Sequence, residues 1–417
     1  QKLFYDHWRG RNPWVNEEMK EIKGFLKDAM KRTQRYRDLM TAYNNDEFKV
    51  WEELRRPIKM TVFTWDGDKD TTLSPMDSLN YYKRILNCGM MAMDPMNGHV
   101  KAWIGGINYK YFKFDHISQS KRQPGSTFKP FVYGAAIENE IVTPCDELVD
   151  EPVTFGEEDG LSGGTWTPQN SDGKYSYQNM KMRRAMGLSI NSISAKLMKQ
   201  LGPDKIAEFA HKCGIESPLH EVPSLCLGAS EVSLFEQVSG YSTLANGGEK
   251  IDPILVLRIT DKVGNVLREY SPPVKAAIKP ETAYLMTYML QGAVQEPGGT
   301  AEGLKRTSIV AGNEIGAKTG TTSNYSDGWF MGVTQKLVAG VWVGGDDRSI
   351  HFRSLALGQG AKMAMPAYAK FMEKVYADQT LAIEGYRKMP FIKPENFAFD
   401  FSCNGRVAVD STATIAP

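Results

Sequence analysis

Two short apolar runs, at 90–93 and 99–104, flank the polar stretch Asp94-Pro95-Met96-Asn97-Gly98. Asn-Gly between such runs predicts a β-hairpin, because both residues accept the positive φ that a tight hairpin turn needs. From about 126 to 300 the periodicity is mostly helical, broken by loops rich in Gly or Pro such as 160–164. Strand-like segments return at 315–320, 328–333 and 337–344, and a helix is expected over 364–377. Short turns, including one at 323–327, separate the last three strands, so these strands should be antiparallel neighbours. Two strands, a helical block, three strands and a helix predict an α/β (α+β) chain. Its antiparallel sheet would be flanked by helices and carry an inserted helical subdomain.

Upstream, residues 16–56 are dense in charge. Met19, Ile22, Leu26 and Met30 recur near helical spacing, and Asn16-Glu17-Glu18 suits a helix start. Phe48, Val50, Trp51 and Leu54 mark a second helical stretch before Pro57. The pattern divides the chain into 1–74, a helical linker or remnant of an inter-domain region; 75–380, the main domain; and 381–417, a C-terminal tail with Pro390 and Pro394.

Composition narrows the class without naming it. The 417 residues are 41% hydrophobic and 24% charged, ordinary for a globular protein, and the net charge of +1 gives no reason to expect nucleic-acid binding. No apolar run reaches the roughly 18 residues that span a bilayer. The chain opens Gln1-Lys2-Leu3-Phe4-Tyr5 and reads as a piece of a longer protein, any anchor lying outside it. The five cysteines, Cys88, Cys145, Cys213, Cys226 and Cys403, are scattered without a Cys-x-x-Cys, and are expected to be mostly buried free thiols. The six histidines are equally dispersed; no metal and no cofactor is expected.

Three elements carry candidate chemistry. In Pro124-Gly125-Ser126-Thr127-Phe128-Lys129-Pro130, Pro-Gly marks a turn and Pro130 suits a first helical turn. The helix start then falls near Ser126, and residues three apart share a helix face, so Ser126 and Lys129 project together. A serine hydroxyl needs a base, and a lysine of lowered pKa can serve. By itself the spacing also fits a capped helix with a surface lysine. The second element, Ser189-Ile190-Asn191 after a helical stretch at 183–188, offers a hydroxyl and an amide, and alone suits a turn or cap. The third, Lys318-Thr319-Gly320-Thr321, lies on an expected strand. Alternation puts Lys318 and Gly320 on one face, Thr319 and Thr321 on the other. Gly320 permits close approach of another backbone or a ligand.

Taken in order, Ser-x-x-Lys, Ser-x-Asn and Lys-Thr-Gly form the signature of penicillin-binding proteins and serine β-lactamases. The chain resembles more closely the transpeptidase domain of a class A (bifunctional) penicillin-binding protein, type 1A-like. That likeness rests on the stretch 89–106, on Arg122-Gln123-Pro124-Gly125-Ser126 and on Trp166-Thr167-Pro168-Gln169-Asn170 with Tyr175. Lys318-Thr319-Gly320-Thr321-Thr322 with Asp327-Gly328-Trp329-Phe330 completes it. It covers about 75–380.

The resemblance implies a penicilloyl-serine-transferase (β-lactamase-like) fold and a D,D-transpeptidase that cross-links peptidoglycan stem peptides and is inhibited by β-lactams. It implies Ser126 as nucleophile, Lys129 as its base, and Ser189 and Lys318 in the proton network. Asn191 would hold a stem amide, and Thr319 and Thr321 the terminal carboxylate, with Gly320 between them. The backbone N–H groups of Ser126 and Thr321 would form the oxyanion hole. It also implies a site of action on the outer (periplasmic) face of the bacterial cytoplasmic membrane. The glycosyltransferase domain and membrane helix of that class are not found in this chain, so transpeptidation alone is expected of it. Ala317 stands where many members have Gly.

The rival readings are a β-lactamase or D,D-carboxypeptidase, and a β-lactam-sensing binding module. Ile190 stands where class A β-lactamases have Asp, and no Glu-x-x-x-Asn follows before Lys318. A carboxypeptidase differs mainly in whether water or an amine arrives second.

Overall fold

The computed structural model describes residues 1–161, 163–322, 324–395 and 397–403. Ser323, the first residue of the turn expected at 323–327, lies outside the described residues, as do Ser162 of the 160–164 loop and residues 404–417 of the expected tail.

The expected hairpin forms from β1 (Asn87–Met93) and β2 (Val100–Ile104), with Gly98 at φ 76°. The returning strands are β3 (Gly316–Thr321), β4 (Asp327–Val333) and β5 (Val338–Gly344). All pairings are antiparallel, in the order β3-β4-β5-β1-β2, so β3 is an edge strand. Every residue of β4 is buried. Its alternation sends Trp329, Met331 and Val333 into one core and Phe330 into another, so both faces of the sheet are covered.

The first core is helical. It contains α1 (Lys129–Glu138), α2 (Met182–Leu188), α3 (Asn191–Leu201), α4 (Leu234–Ala245) and α5 (Pro280–Gln295). The second lies under α6 (Met365–Ala377), where Tyr368 packs on Phe330 at 4.9 Å between ring centroids. The fold is thus the expected antiparallel sheet with helices on both faces.

Toward the N-terminus the charged region contains helices Phe25–Lys31, Gln34–Ala42 and Glu47–Arg55. The second predicted stretch is the last of these. The first starts later than expected. The Asn16 side chain accepts from the Lys20 N–H and folds 16–20 into a turn, and Gly24 at φ 80° caps the helix that begins at Phe25. An unforeseen hairpin, Ile58–Thr64 with Gly67–Leu73, turns at Trp65-Asp66 before Gly67. Phe4, Trp8, Trp14 and Phe25 are buried with Leu86, Ile350 and Phe352, which ties the first residues to the start of β1 and the segment after β5. Among the described residues no helix is long and apolar enough to cross a membrane.

The expectation of mostly free thiols holds for three of the five cysteines. Cys145 and Cys403 form a disulfide across 258 residues; Cys88, Cys213 and Cys226 are free. No local spacing announces the pair. An aromatic staple brings it together: Phe397 and Phe401 pack on Tyr284 and Tyr288 of α5, at 5.0 and 4.3 Å, and carry Cys403 back to Cys145. Peptide mapping without reductant should yield a linked 145–403 fragment. Reduction should cost about 2–5 kcal/mol of stability, the usual worth of such a link, read as a lower thermal midpoint than that of the oxidised protein.

Candidate active site

Ser126 sits in a 3-10 turn, Gly125–Phe128, that runs directly into α1. The turn presses against β3. A Cβ on Gly125, at φ 55°, would lie 2.7 Å from the Thr321 carbonyl, and one on Gly320 would lie 2.4 Å from the Pro124 carbonyl. These two glycines let the Ser126 segment and the edge strand meet backbone to backbone. Ser126 is half-buried in the wall of a cleft of about 480 Å³ that Ser189, Asn191, Thr319 and Thr321 also line. Its hydroxyl has no hydrogen-bond partner among the described residues.

Lys129 and Lys318 are both fully buried. Lys129 Nζ donates to the Ser189 carbonyl at 2.7 Å and Asn191 Oδ1 at 2.6 Å, and lies 3.3 Å from Ser189 Oγ. Lys318 Nζ donates to the same Ser189 Oγ at 2.8 Å and to the Thr319 carbonyl at 3.2 Å. Ser189 therefore joins the two amines. It holds this place in a left-handed conformation, φ 60° and ψ 40°, at the end of α2. Such a conformation is strained for a residue with a side chain and persists only where its surroundings enforce it. Here the N–H of Ser189 bonds to the Met186 carbonyl and that of Ile190 to the Ala185 carbonyl, closing the helix on both sides of it.

Burial in this pocket brings the Lys129 amine down from the usual lysine range to about 7, with the nearby Cys226 thiol pulling the other way. Burial, followed by the Lys129 charge, pushes Lys318 well below its ordinary value. Among the described residues neither amine bonds to a carboxylate. A neutral amine at Lys129 can donate twice and still present a lone pair.

Lys129, Ser189, Asn191 and Lys318 thus share one network, and Ser126 lines the same cleft without joining it. Gly320 faces the Gly125–Phe128 turn, while Thr319 and Thr321 line the cleft from the other face of β3. Thr321 Oγ1 accepts from the Gly360 N–H at 3.1 Å, which leaves its own O–H to donate into the cleft. The sequence reading missed Tyr325, Leu355 and Gln359 on the far wall. Tyr325 is held at φ 61°, and no spacing in the sequence signals it. It also gave Asn170 no role. Asn170 Oδ1 accepts from the N–H groups of Asn191 at 2.9 Å and Ser192 at 3.2 Å, and so caps α3 from another segment. No group of three or more His, Cys, Asp or Glu that could hold a metal occurs among the described residues.

Comparison with known proteins gives the same direction. The family described as penicillin binding protein transpeptidase domain matches residues 88–345, and the penicillin-binding protein middle domain matches 9–86. Penicillin-binding protein 2D of Bacillus subtilis is 34% identical over 290 residues, 69% of this chain and 41% of that protein. Penicillin-binding protein 1A of Neisseria lactamica is 32% identical over 294 residues, 69% of this chain and 36% of that protein. The chain therefore spans less than half the length of these relatives. The structure of penicillin-binding protein 1A from Haemophilus influenzae shares the fold, with a TM-score of 0.66 at 23% identity over 90% of this chain and 63% of that one. PonA1 from Mycobacterium tuberculosis, solved in complex with penicillin V, superimposes with a TM-score of 0.60 at 23% identity, covering 89% of this chain and 96% of that one. With the transpeptidase match extending over more than half its length, this chain belongs to the penicillin-binding protein transpeptidase family, a family of serine acyltransferases.

Proposed function

We propose that the chain is a peptidoglycan D,D-transpeptidase that works through an acyl-Ser126 intermediate, and that β-lactams acylate the same serine. The observation that carries this reading is the pair of buried, depressed lysines joined through Ser189, which lines the same cleft as the unpartnered Ser126 hydroxyl.

In the first half-reaction Ser126 Oγ attacks the carbonyl between two D-alanines as its proton passes to Lys129. The oxyanion that develops is met by the backbone N–H groups of Ser126 and Thr321. As the C–N bond breaks, the departing amine receives a proton along the Ser189 hydroxyl, and the terminal D-Ala leaves. An amine of a second stem then attacks the ester, loses a proton by the reverse route and frees Ser126. Thr319, Thr321 and Lys318 hold the terminal carboxylate, whose arrival raises the proton affinity of Lys318 again. Asn191 serves a stem amide. An extended stem running along β3 can use the free backbone groups of an edge strand. The site of this reaction in the cell is outside the cytoplasm, where the stems are; the Cys145–Cys403 disulfide suits an oxidising compartment.

Among the described residues no Asp or Glu lines the cleft. Deacylation by water needs a base that positions it, so this wall favours an amine as second substrate over hydrolysis. An excess of chromogenic cephalosporin should give a burst of one equivalent and then almost nothing. Sustained turnover near the typical enzymatic ~10 s⁻¹ would mean a β-lactamase instead.

Ser126→Ala should abolish the mass adduct left by a labelled penicillin and reduce turnover by a factor on the order of 10⁶. Undiminished label, or label on another residue, contradicts the assignment. The pH dependence follows from Lys129. Below pH 7 its amine is protonated and cannot accept the Ser126 proton, so the acylation rate should fall about tenfold per unit on the acid side. It should level off above a midpoint near 7, where the amine is neutral. A flat profile from pH 5 to 8 would remove Lys129 as the base.

A further inference from the structure

The second motif stands on a carboxylate that takes no direct part in the site. Asp150 follows a short strand, Glu147–Val149, and is 3% exposed. Its backbone is pinned on both sides, its N–H to the Gln178 carbonyl and its carbonyl to the Tyr177 N–H. Its side chain accepts from Ser192 Oγ at 2.5 Å, from Asn170 Nδ2 at 2.8 Å and from the Ser176 N–H at 2.8 Å. Burial pushes its pKa up, and the Ser192, Ser176 and Asn170 bonds outweigh this and hold it below the usual carboxylate value. Asp150 is therefore an anion. No cation pairs with it among the described residues, and a buried anion without a counter-ion is costly to keep.

We infer that Asp150 is a positioning residue of the acylation site: it orients the Asn170 amide and thereby sets the place of Asn191 against Lys129. An asparagine amide can sit either way round, its two ends differing only in which one donates. A carboxylate accepts and never donates, so Asp150 forces Asn170 Nδ2 toward itself. Nδ2 also meets the Lys174 carbonyl at 2.9 Å. Oδ1 must then face the opposite way, where it accepts from the N–H groups of Asn191 and Ser192. The Asn191 side chain is held at both ends in turn. Its Nδ2 donates to the Gln169 carbonyl at 2.6 Å and its Oδ1 accepts from Lys129 Nζ at 2.6 Å. The chain of constraint runs Asp150, Asn170, Asn191, Lys129, and each link has a fixed donor and a fixed acceptor.

This inference rests on the acyl-Ser126 reading and carries a signature of its own. An acceptor on an ammonium group favours the charged form. Loosening Asn191 Oδ1 from Lys129 therefore lowers the pKa of Lys129 and moves the acid limb of acylation to lower pH. Lys129 also meets the Ser189 carbonyl and hydroxyl, Lys318 through Ser189, and the Cys226 thiol, and the substitution touches none of these. Tyr175 feels the Asp150 charge, and Glu151 and Tyr177 adjoin Asp150 along the chain and through the Tyr177 N–H. A merely structural role would lower the amount of active enzyme and leave the midpoint where it is.

The test is Asp150→Asn, which keeps the shape and removes the carboxylate, with Ser192→Ala as a gentler second variant should the first fail to fold. Second-order acylation by a labelled penicillin is measured from pH 5 to 9, with the adduct mapped by mass spectrometry. Adduct on Ser126 at a rate about tenfold to a hundredfold lower, the scale of a small misplacement in a site, with the midpoint shifted down, supports the inference. Ser192→Ala should move both in the same direction by less. A folded Asp150→Asn or Ser192→Ala variant with wild-type rate and midpoint overturns it, as does a lower rate with an unmoved midpoint. Wild-type adduct on a residue other than Ser126 would sink the functional reading instead. In that case crystal structures of the variants still decide the inference. Asn191 displaced from Lys129 upholds it, and Asn191 unmoved refutes it.

Discussion

Two lysines are buried side by side, and much of the molecule exists to make that tolerable. Two unit charges about 5 Å apart at an effective dielectric constant of about 20 repel by roughly 3 kcal/mol, before either is charged for leaving water. Lys129 and Lys318 both reach one serine oxygen with no carboxylate among the described residues to balance them. The resting site therefore sheds protons. The ordinary solution, a salt bridge, would raise Lys129 and take away the lone pair. The fold instead surrounds the amines with neutral acceptors: two carbonyls, a hydroxyl and an amide oxygen. Ser189 supplies a carbonyl and the hydroxyl from one strained residue. That economy explains why a left-handed conformation is kept where a glycine would be easier but could offer no hydroxyl.

How much of this was legible in the sequence depends on the range of each signal. Short apolar runs bounded by turn residues located β1 to β5 within a few residues. The Ser126–Lys129 relation was also local, one helical turn. The partnership of Lys318 with Ser189 spans 129 residues, and only the joint order of the three motifs hinted at it. Where the sequence reading erred, a single side chain overrode periodicity. Asn16 closed a turn inside an apparently helical spacing, and Gly24 moved the helix start to Phe25. Cys145 and Cys403 were illegible because aromatic packing far from either cysteine aligns them.

The polar and apolar parts of the design divide the labour. The side chains of the candidate site come from a 3-10 turn, a helix end, a helix start and an edge strand, four places where backbone groups are left unpaired by ordinary secondary structure. Helix packing fixes these termini only coarsely. The finer placement comes from bonds of one allowed polarity, such as Asn170 Oδ1 on the first N–H groups of α3. Apolar packing sets where α2 and α3 lie, and the hydrogen bonds set which atoms of Ser189 and Asn191 face the lysines.

The free edge of β3 has a consequence beyond chemistry. A strand with unpaired N–H and C=O groups is a template for aggregation, and soluble proteins commonly blunt such edges with charge, proline or a bulge. Gly316–Thr321 carries no proline, and its only charged residue is buried. The protection is topographic. The Gly125–Phe128 turn lies across Gly320, Gly316 packs against Leu290, and Thr319 and Thr321 open into a cleft rather than onto open surface. A single extended chain can thread that recess, while the edge of another sheet is too broad to enter. A recess that admits one extended chain at a time also keeps the molecules from growing onto each other.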